Sequence, residues 1–419
     1  MTINHATRGS LTGLPTRQQL VEDMEMMLQN GEMFQIIKVD AVHLKAVNSV
    51  HGFKTGDAVL KHFAELLCQW HESAFRVYHA GAVSFYMLAA AGTPSDPWEL
   101  YEMLHQKITV NDTTLLPKAR VTKTVAEPGD TVAGLFDLIS YASGKRSILM
   151  IPALEIGEEL RKELLQQNYV VSEVTQAIKN KSFEMYYQPV YDMSRKCFPT
   201  AEALIRLRAS DGAYISPGLF IPLAEEKYLI DAISDIVLEK VMTFLGEHPD
   251  SPVDAISVNL TPDQITDEDL PGKLTEIARE HRTELHRVRL EVTERTIQRG
   301  TARMQEVMER LKKTGVDLYL DDFGTGYSNM QSVINLPFEA VKFDKSIIDT
   351  LGTERSDHMV NLLSRMVHIG NAKIIAEGIE TEDQYRYAVE NGFDKIQGYY
   401  FSKPLPKQEY LEFIERHNK

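Results

Sequence analysis

Cysteine is scarce in this chain. Its 419 residues include two, Cys68 and Cys197. Neither lies in a Cys-x-x-Cys pair, which argues against a disulfide framework and a cysteine-based zinc site and makes a reducing cytoplasm the expected compartment. No apolar run approaches the roughly 20 residues that span a bilayer. The N-terminus, Met-Thr-Ile-Asn-His, lacks the basic-then-apolar order of a signal peptide. Positive charge is in deficit, with 45 Lys and Arg against 60 Asp and Glu. Residues 1–150 are nearly balanced, at 13 basic to 15 acidic, so the negative surplus lies beyond them. Such a surface is a poor partner for a nucleic-acid polymer, whose phosphates need basic contacts. A small phosphorylated ligand is admissible where cations neutralise it. There is no Walker loop, HExxH, GxSxG elbow or zinc-type cysteine set, and the 13 histidines fall in no ligand spacing.

What the second half has in quantity is carboxylate at the ends of short apolar runs. Seven acids and one asparagine stand there: Glu202, Asn259, Glu291, Glu294, Asp321, Asp322, Glu377 and Glu380. Burying one acid beside a core strand is costly without a partner. Several at equivalent strand ends make sense if they converge on a cation held by oxygen ligands.

Length suggests two or three domains. The first patterned region opens with Leu11-Thr-Gly-Leu-Pro-Thr-Arg17 and a helix pattern over 17–30. A strand at 34–40, a helix at 56–70 and strands at 75–79 and 84–88 follow, a mixed α/β order. A charged, leucine-bearing helix is expected over 154–178. Strand patterns then fall at 184–192, 199–207, 254–260, 287–293, 317–321, 339–343, 373–377 and 394–400. Helix patterns between them include 304–314, 357–369, 381–391 and 407–416. Eight strands alternating with helices suggest a closed (β/α)8 TIM-like barrel, whose chemistry collects at the C-terminal strand ends. The acids lie at those ends. The expected division is 1–153, a connecting helix over 154–178, and 179–419.

Asp321-Asp322 is the sharpest element. Two adjacent acids before Phe-Gly-Thr-Gly-Tyr-Ser can serve a pair of divalent ions, a recurrent device for phosphoester displacement. Lys342 could stabilise the charge of a pentavalent phosphorus or orient water. Glu377 and Glu380 could supply a second-metal ligand or base and its orienting partner, and Arg206 could fork onto phosphate.

These blocks resemble the EAL family of cyclic di-GMP phosphodiesterases from about 183 to 415. The matching residues include Tyr187-Gln-Pro-Val190, Glu202-Ala-Leu204 with Arg206, Val258-Asn-Leu260, Leu290-Glu-Val-Thr-Glu294, Asp321-Asp-Phe-Gly-Thr-Gly-Tyr-Ser328, Val341-Lys-Phe-Asp344, Ala376-Glu-Gly-Ile-Glu380 and Gln397-Gly-Tyr-Tyr400. The resemblance implies a two-metal (Mg2+ or Mn2+) hydrolysis of cyclic di-GMP to linear pGpG. It implies Glu202, Asn259, Glu291 and Asp321 as ligands of one ion, and Asp321, Asp322 and Glu377 for the second. Lys342 and Gln397 match residues around the reacting water. Gln188, Leu204, Arg206 and Asp344 match substrate contacts. Glu294 matches a residue that fixes the Asp-Asp-Phe-Gly loop, and the family suggests a homodimer through the barrel. Thr200, Leu207 and Arg295 depart from the usual glycine, tryptophan and serine without removing a ligand.

The first region resembles a GGDEF domain, the nucleotidyl (diguanylate) cyclase fold. Asp40 matches a metal ligand, and Asn48 and Asp57 match guanine contacts. The five signature positions fall on Gly81, Ala82, Val83, Ser84 and Phe85, so two acids are replaced by Val83 and Ser84. The resemblance therefore implies a degenerate, cyclase-inactive domain, with regulation through GTP or a plain scaffold role both open. The alternative for the whole chain is a non-catalytic cyclic di-GMP receptor or protein-interaction module.

Overall fold

The computed structural model describes residues 11–110, 113–298, 302–325 and 336–418, the side chains of 72, 73 and 146–149 excepted. It divides into two units, Met1–Asn168 and Tyr169–Lys419.

The first unit is built on a five-stranded sheet. Its strands are β1 (Phe34–Val42), β2 (Arg76–His79), β3 (Ser84–Ala90), β4 (Lys118–Val125) and β5 (Ala153–Glu155), in the order β2-β3-β1-β4-β5. β1 is central because it is apolar on both faces. Alternation sends Ile37, Val39 and Ala41 to one side, against Val59, Leu60 and Phe63 of the helix Phe53–Gln69. It sends Phe34 and Ile36 to the other, against Leu20 and Met24 of the helix Arg17–Gln29 and Leu135 and Ile139 of the helix Val132–Leu149. Helices thus cover both faces of a mixed sheet. The expected helix over 154–178 starts later than its charge pattern suggests. Ala153–Glu155 pairs in parallel with β4, and the helix runs Glu158–Asn180. Leu154 looks helical by composition, but the sheet edge offers its backbone partners that a helix end would not.

The second unit holds an eight-stranded barrel: β6 (Glu184–Asp192), β7 (Cys197–Arg208), β8 (Ala255–Asn259), β9 (Val288–Thr293), β10 (Asp317–Phe323), β11 (Ala340–Phe343), β12 (Lys373–Ala376) and β13 (Lys395–Gln397). Pairing runs β7 through β13 in chain order, and β6 closes the ring between β13 and β7. β7 to β13 are parallel, as the alternation with helices implies. β6 is antiparallel to both neighbours, a departure from the all-parallel barrel. The cause is local. Met193–Lys196 is too short for a parallel crossover and can only form a hairpin. Asp192 Oδ1 secures that turn by accepting from the backbone N–H groups of Ser194 and Arg195, each at 3.0 Å, and Lys196 takes a left-handed φ of 53°.

Strand alternation sorts the barrel's side chains. Leu290, Val292, Leu318, Leu320, Val341, Ile374 and Ile396 point outward into a core shared with the helices. A small apolar group, Val190, Tyr319, Ala340 and Ile375, fills the middle of the barrel. On the same inward face, two residues further toward the strands' C-terminal ends, come Asp321, Lys342 and Glu377, and Glu291 stands likewise two beyond Arg289. Among the described residues no helix is long and apolar enough to cross a membrane.

Candidate active site

Lys342 is the hub of the barrel mouth. Its side chain is 2% exposed. Nζ lies 3.2 Å from Glu202 Oε2, 2.8 Å from Glu291 Oε2, 3.2 Å from Asp321 Oδ1 and 2.8 Å from Glu377 Oε1. Each acid comes from a different strand. Glu291, Asp321 and Glu377 lie near the C-terminal ends, and Glu202 comes from the middle of β7, where the sequence pattern suggests a strand end. Each is inward-facing by the two-residue period. An ammonium has three N–H bonds, and Asp321 Oδ1 is left without a hydrogen bond. Gln397 Nε2 donates to Glu202 Oε2 at 2.6 Å and to Gln188 Oε1 at 3.3 Å, and Asn259 Nδ2 donates to Glu202 Oε1 at 3.2 Å. Gln188 in turn donates to the Ser402 carbonyl at 3.4 Å.

The electrostatics follow from who has donors. Burial would lower the lysine, but Asp321, Glu202, Glu291 and Glu377 together hold Lys342 well above the ordinary lysine range. Burial likewise opposes ionisation of Glu202, yet Lys342, Gln397 and Asn259 outweigh it and keep that carboxyl below its usual range. Glu291 receives a hydrogen bond from Lys342 and sits beside Glu202 and Asp321. Burial dominates there and pushes it up to about 8. Burial also raises Glu377 well above the carboxylate range, and burial together with Asp321 raises Asp322.

Asp322 adopts a left-handed φ of 54° at the irregular end of β10 and is half-buried. Glu294, 3% exposed, accepts from the Gly324 N–H at 3.1 Å and from Gln298 Nε2 at 3.2 Å, so it holds the start of the Asp-Asp-Phe-Gly segment. Gly326, Tyr327 and Ser328 of that run lie outside the described residues. Asp344 accepts from the Ser346 N–H at 2.8 Å and caps a short helix. Glu380 does not join the cluster. It stands on the exposed loop and pairs with Lys345 Nζ at 2.5 Å. Lys345 lies against Gly378, where an added Cβ would come within 2.6 Å of its own Cβ.

Beside the cluster, Leu204, Arg206 and Asn259 line a cleft of about 380 Å³ with Ile221, Glu225 and Thr261. The Arg206 guanidinium lies over the Tyr186 ring at 5.1 Å. Sequence reasoning passed over Ser402, Lys345 and the layer beneath the acids, where Arg289 and Tyr319 lie. The same alternation that places Glu291 and Asp321 inward places Arg289 and Tyr319 two residues behind them.

Residues 171–404 match the family described as EAL domain. The chain belongs to that family. Residues 6–127 match "Diguanylate cyclase, GGDEF domain", so a GGDEF domain precedes the EAL domain. The chain is 28% identical over 435 residues to the bifunctional diguanylate cyclase/cyclic di-GMP phosphodiesterase MucR of Pseudomonas aeruginosa, covering 98% of this chain and 62% of that one. It is 31% identical over 246 residues to the probable cyclic di-GMP phosphodiesterase PdeB of Escherichia coli, covering 58% and 46%. Against the solved structure "PaMucR Phosphodiesterase, c-di-GMP complex" the TM-score is 0.54 at 29% identity, over 57% of this chain and 99% of that one. The chain thus spans 62% and 46% of the length of these two curated relatives.

In the GGDEF domain the corresponding acid is already satisfied. Ser84 Oγ donates to Asp40 Oδ1 at 2.6 Å, and Lys38 pairs with Asp40 Oδ2 at 3.0 Å. Ser84 and Asp40 face each other in register across β3 and β1. Val83 packs on the domain core, and Phe85 is buried, stacked on His79 at 4.6 Å. Gly81 has φ 145° and, like Ala82, is exposed at the hairpin tip. Asn48 turns its carbonyl inward against Gly56, where it is buried without a hydrogen-bond partner, while Asp57 is exposed.

Proposed function

We propose that the EAL domain hydrolyses cyclic di-GMP to linear pGpG with two divalent ions, Mg2+ or Mn2+, and that the GGDEF domain is a degenerate regulatory or scaffold domain. The observation that carries this reading is the oxygen-only donor set, four buried or half-buried carboxylates of separate strands drawn onto one cation at 2.8–3.2 Å. Hard oxygen donors of that number suit Mg2+ or Mn2+. Asp321 Oδ1 is buried with the Lys342 charge beside it but without a hydrogen bond. Glu202, Asn259, Glu291 and Asp321 would hold one ion and Asp321, Asp322 and Glu377 the other. When bound, the ions would supply activation of water and stabilisation of the charge that develops on phosphate. Gln397 orients Glu202, and Lys342 and Gln397 stand around the reacting water, with Glu377 as a candidate base. Leu204 and Arg206 line the cleft in which a nucleotide arm fits, with Gln188 and Asp344 at the mouth. Glu294 and Glu380 brace the two loops.

The deciding experiment is an assay of the full chain on cyclic di-GMP with Mg2+ or Mn2+, with and without GTP. Accumulation of pGpG is expected. Folded protein that binds cyclic di-GMP but leaves it intact with either metal would establish the receptor reading instead. Asp40, the acid that matches a metal ligand in the first domain, is already shared by Lys38 and Ser84. A scaffold role therefore fits better than a nucleotide sensor, and the rate should be the same with GTP present.

A homodimer through the barrel also belongs to this reading. The helix Glu354–Ile369 exposes Met359, Leu362, Met366 and Ile369, the last by 81%, at alternating spacings of three and four. Such a stripe is an apolar seam in want of a cover. Light scattering is expected to report a dimer that Leu362→Glu with Ile369→Glu dissociates.

A further inference from the structure

The four carboxylates do not surround a gap. Among the described residues no three Asp, Glu, His or Cys side chains stand so that an ion could sit between them as they are. The centre belongs to Lys342 Nζ, which every one of the four acids touches. The lysine side chain is 2% exposed, and its partners Glu202 and Glu291 are 8% and 1% exposed. Like charges this close and this dry repel strongly. With all four acids ionised, one ammonium leaves the group three negative charges in excess. The lysine cannot satisfy all of them even by hydrogen bonds, and Asp321 Oδ1 goes without.

We infer that Lys342 is the resident counter-cation of this cluster, and that a divalent ion enters by displacing its ammonium from the carboxylates rather than by filling a preformed cage. This rests on the metal-dependent reading above. Two consequences have opposite signs. Lys342 stabilises the protein when metal is absent, and it competes with metal when metal is present. An ordinary structural salt bridge would do the first only. A lysine that merely holds the ligands in place for the metal would make binding stronger, the reverse of the second.

The test uses the full chain stripped with EDTA and titrated with Mn2+, read by thermal unfolding and by calorimetry, without reference to turnover. Lys342→Met is expected to lower the unfolding temperature of the metal-free protein far more than that of the Mn2+-loaded protein, and to tighten Mn2+ binding by about tenfold or more, the change expected when 1.4 kcal/mol of competition is removed. Glu377→Gln is expected to do the opposite. It relieves excess charge, so the metal-free unfolding temperature holds or rises, while Mn2+ binding weakens. If Lys342→Met is unfolded without metal, saturating Mn2+ should restore its circular dichroism, and failure to do so overturns the inference. Weaker Mn2+ binding by Lys342→Met, or equal destabilisation with and without metal, overturns it while leaving the metal reading intact. So does a fall in metal-free stability on Glu377→Gln. A wild-type chain that binds no Mn2+ overturns both.

Discussion

The two units handle a strand-end acid in opposite ways. In the first, Asp40 is neutralised by its own neighbours, Lys38 on the same strand and Ser84 across the ladder. In the barrel, four acids crowd onto one lysine and remain short of positive charge. In the first arrangement each carboxylate oxygen already has a partner of its own. The second holds more carboxylate than cation, and on the proposed reading that deficit is what draws a metal ion in. A carboxylate at a strand end is therefore no indicator of chemistry by itself. The count of acids per donor decides.

The contrast can be broken most severely at the ligands. Glu202→Ala or Asp321→Ala should lower pGpG formation by about 10³-fold or more, since electrostatic stabilisation of the reacting phosphate goes with the ion. A variant within tenfold of wild type in a metal-saturated assay would remove those residues from the site. Next in size is Glu377→Gln, expected to lower kcat by about 10²-fold with KM little changed, as the loss of a base or ligand acting in the transition state predicts. Steady-state kinetics that show the loss in KM instead would make it a substrate contact.

On the other side of the comparison, placing acids at positions 83 and 84 should not confer cyclase activity. Val83→Asp with Ser84→Glu is expected to yield no cyclic di-GMP from GTP. Val83 packs on the core, so an aspartate there should cost about 1–3 kcal/mol of stability, visible in denaturant unfolding of the first domain. Product from GTP would show that charge alone had been lacking.

The smallest expected effect is a pH dependence. Burial raises the Glu291 pKa in the folded protein to about 8, above its unfolded value. A group raised in this way binds its proton more tightly when folded, so it favours folding at low pH, and that contribution fades as pH rises toward about 8. Metal-free protein should thus lose unfolding temperature from pH 5 to 8.5, and Glu291→Gln should flatten that slope. Equal slopes in both proteins would place the ionisation elsewhere.

Much of the barrel was legible because its strands are short, apolar and evenly spaced. The expected 184–192 and the observed Glu184–Asp192 coincide, and the others differ by one to three residues at their ends. The acids were legible because alternation forces Glu291 and Asp321 onto the inward face once the strands are drawn, and it places the Gln397 amide there with them. Three things were not. The reversed direction of β6 follows from the short Met193–Lys196 connection, a local exception that the strand–helix alternation of the rest of the barrel hides. Glu380 shares a motif with Glu377 but lies three residues on, past Gly378 at φ 68°, where the backbone has left the strand. The centrality of Lys342 arises only when five strands meet, and no linear pattern encodes a point of convergence.

The closing strand carries a kinetic consequence. Gln397 reaches Glu202 across 195 residues of chain, and β13 completes the ring by pairing with β6. Until the last strand has emerged from the ribosome, β6 and β12 present bare edges, and the acids face one another without a closed wall to align them. Distant pairings of this kind slow folding and leave sticky intermediates. The nascent chain should therefore depend on chaperones late in synthesis, and a chain stalled before residue 395 should aggregate rather than persist as a weaker enzyme.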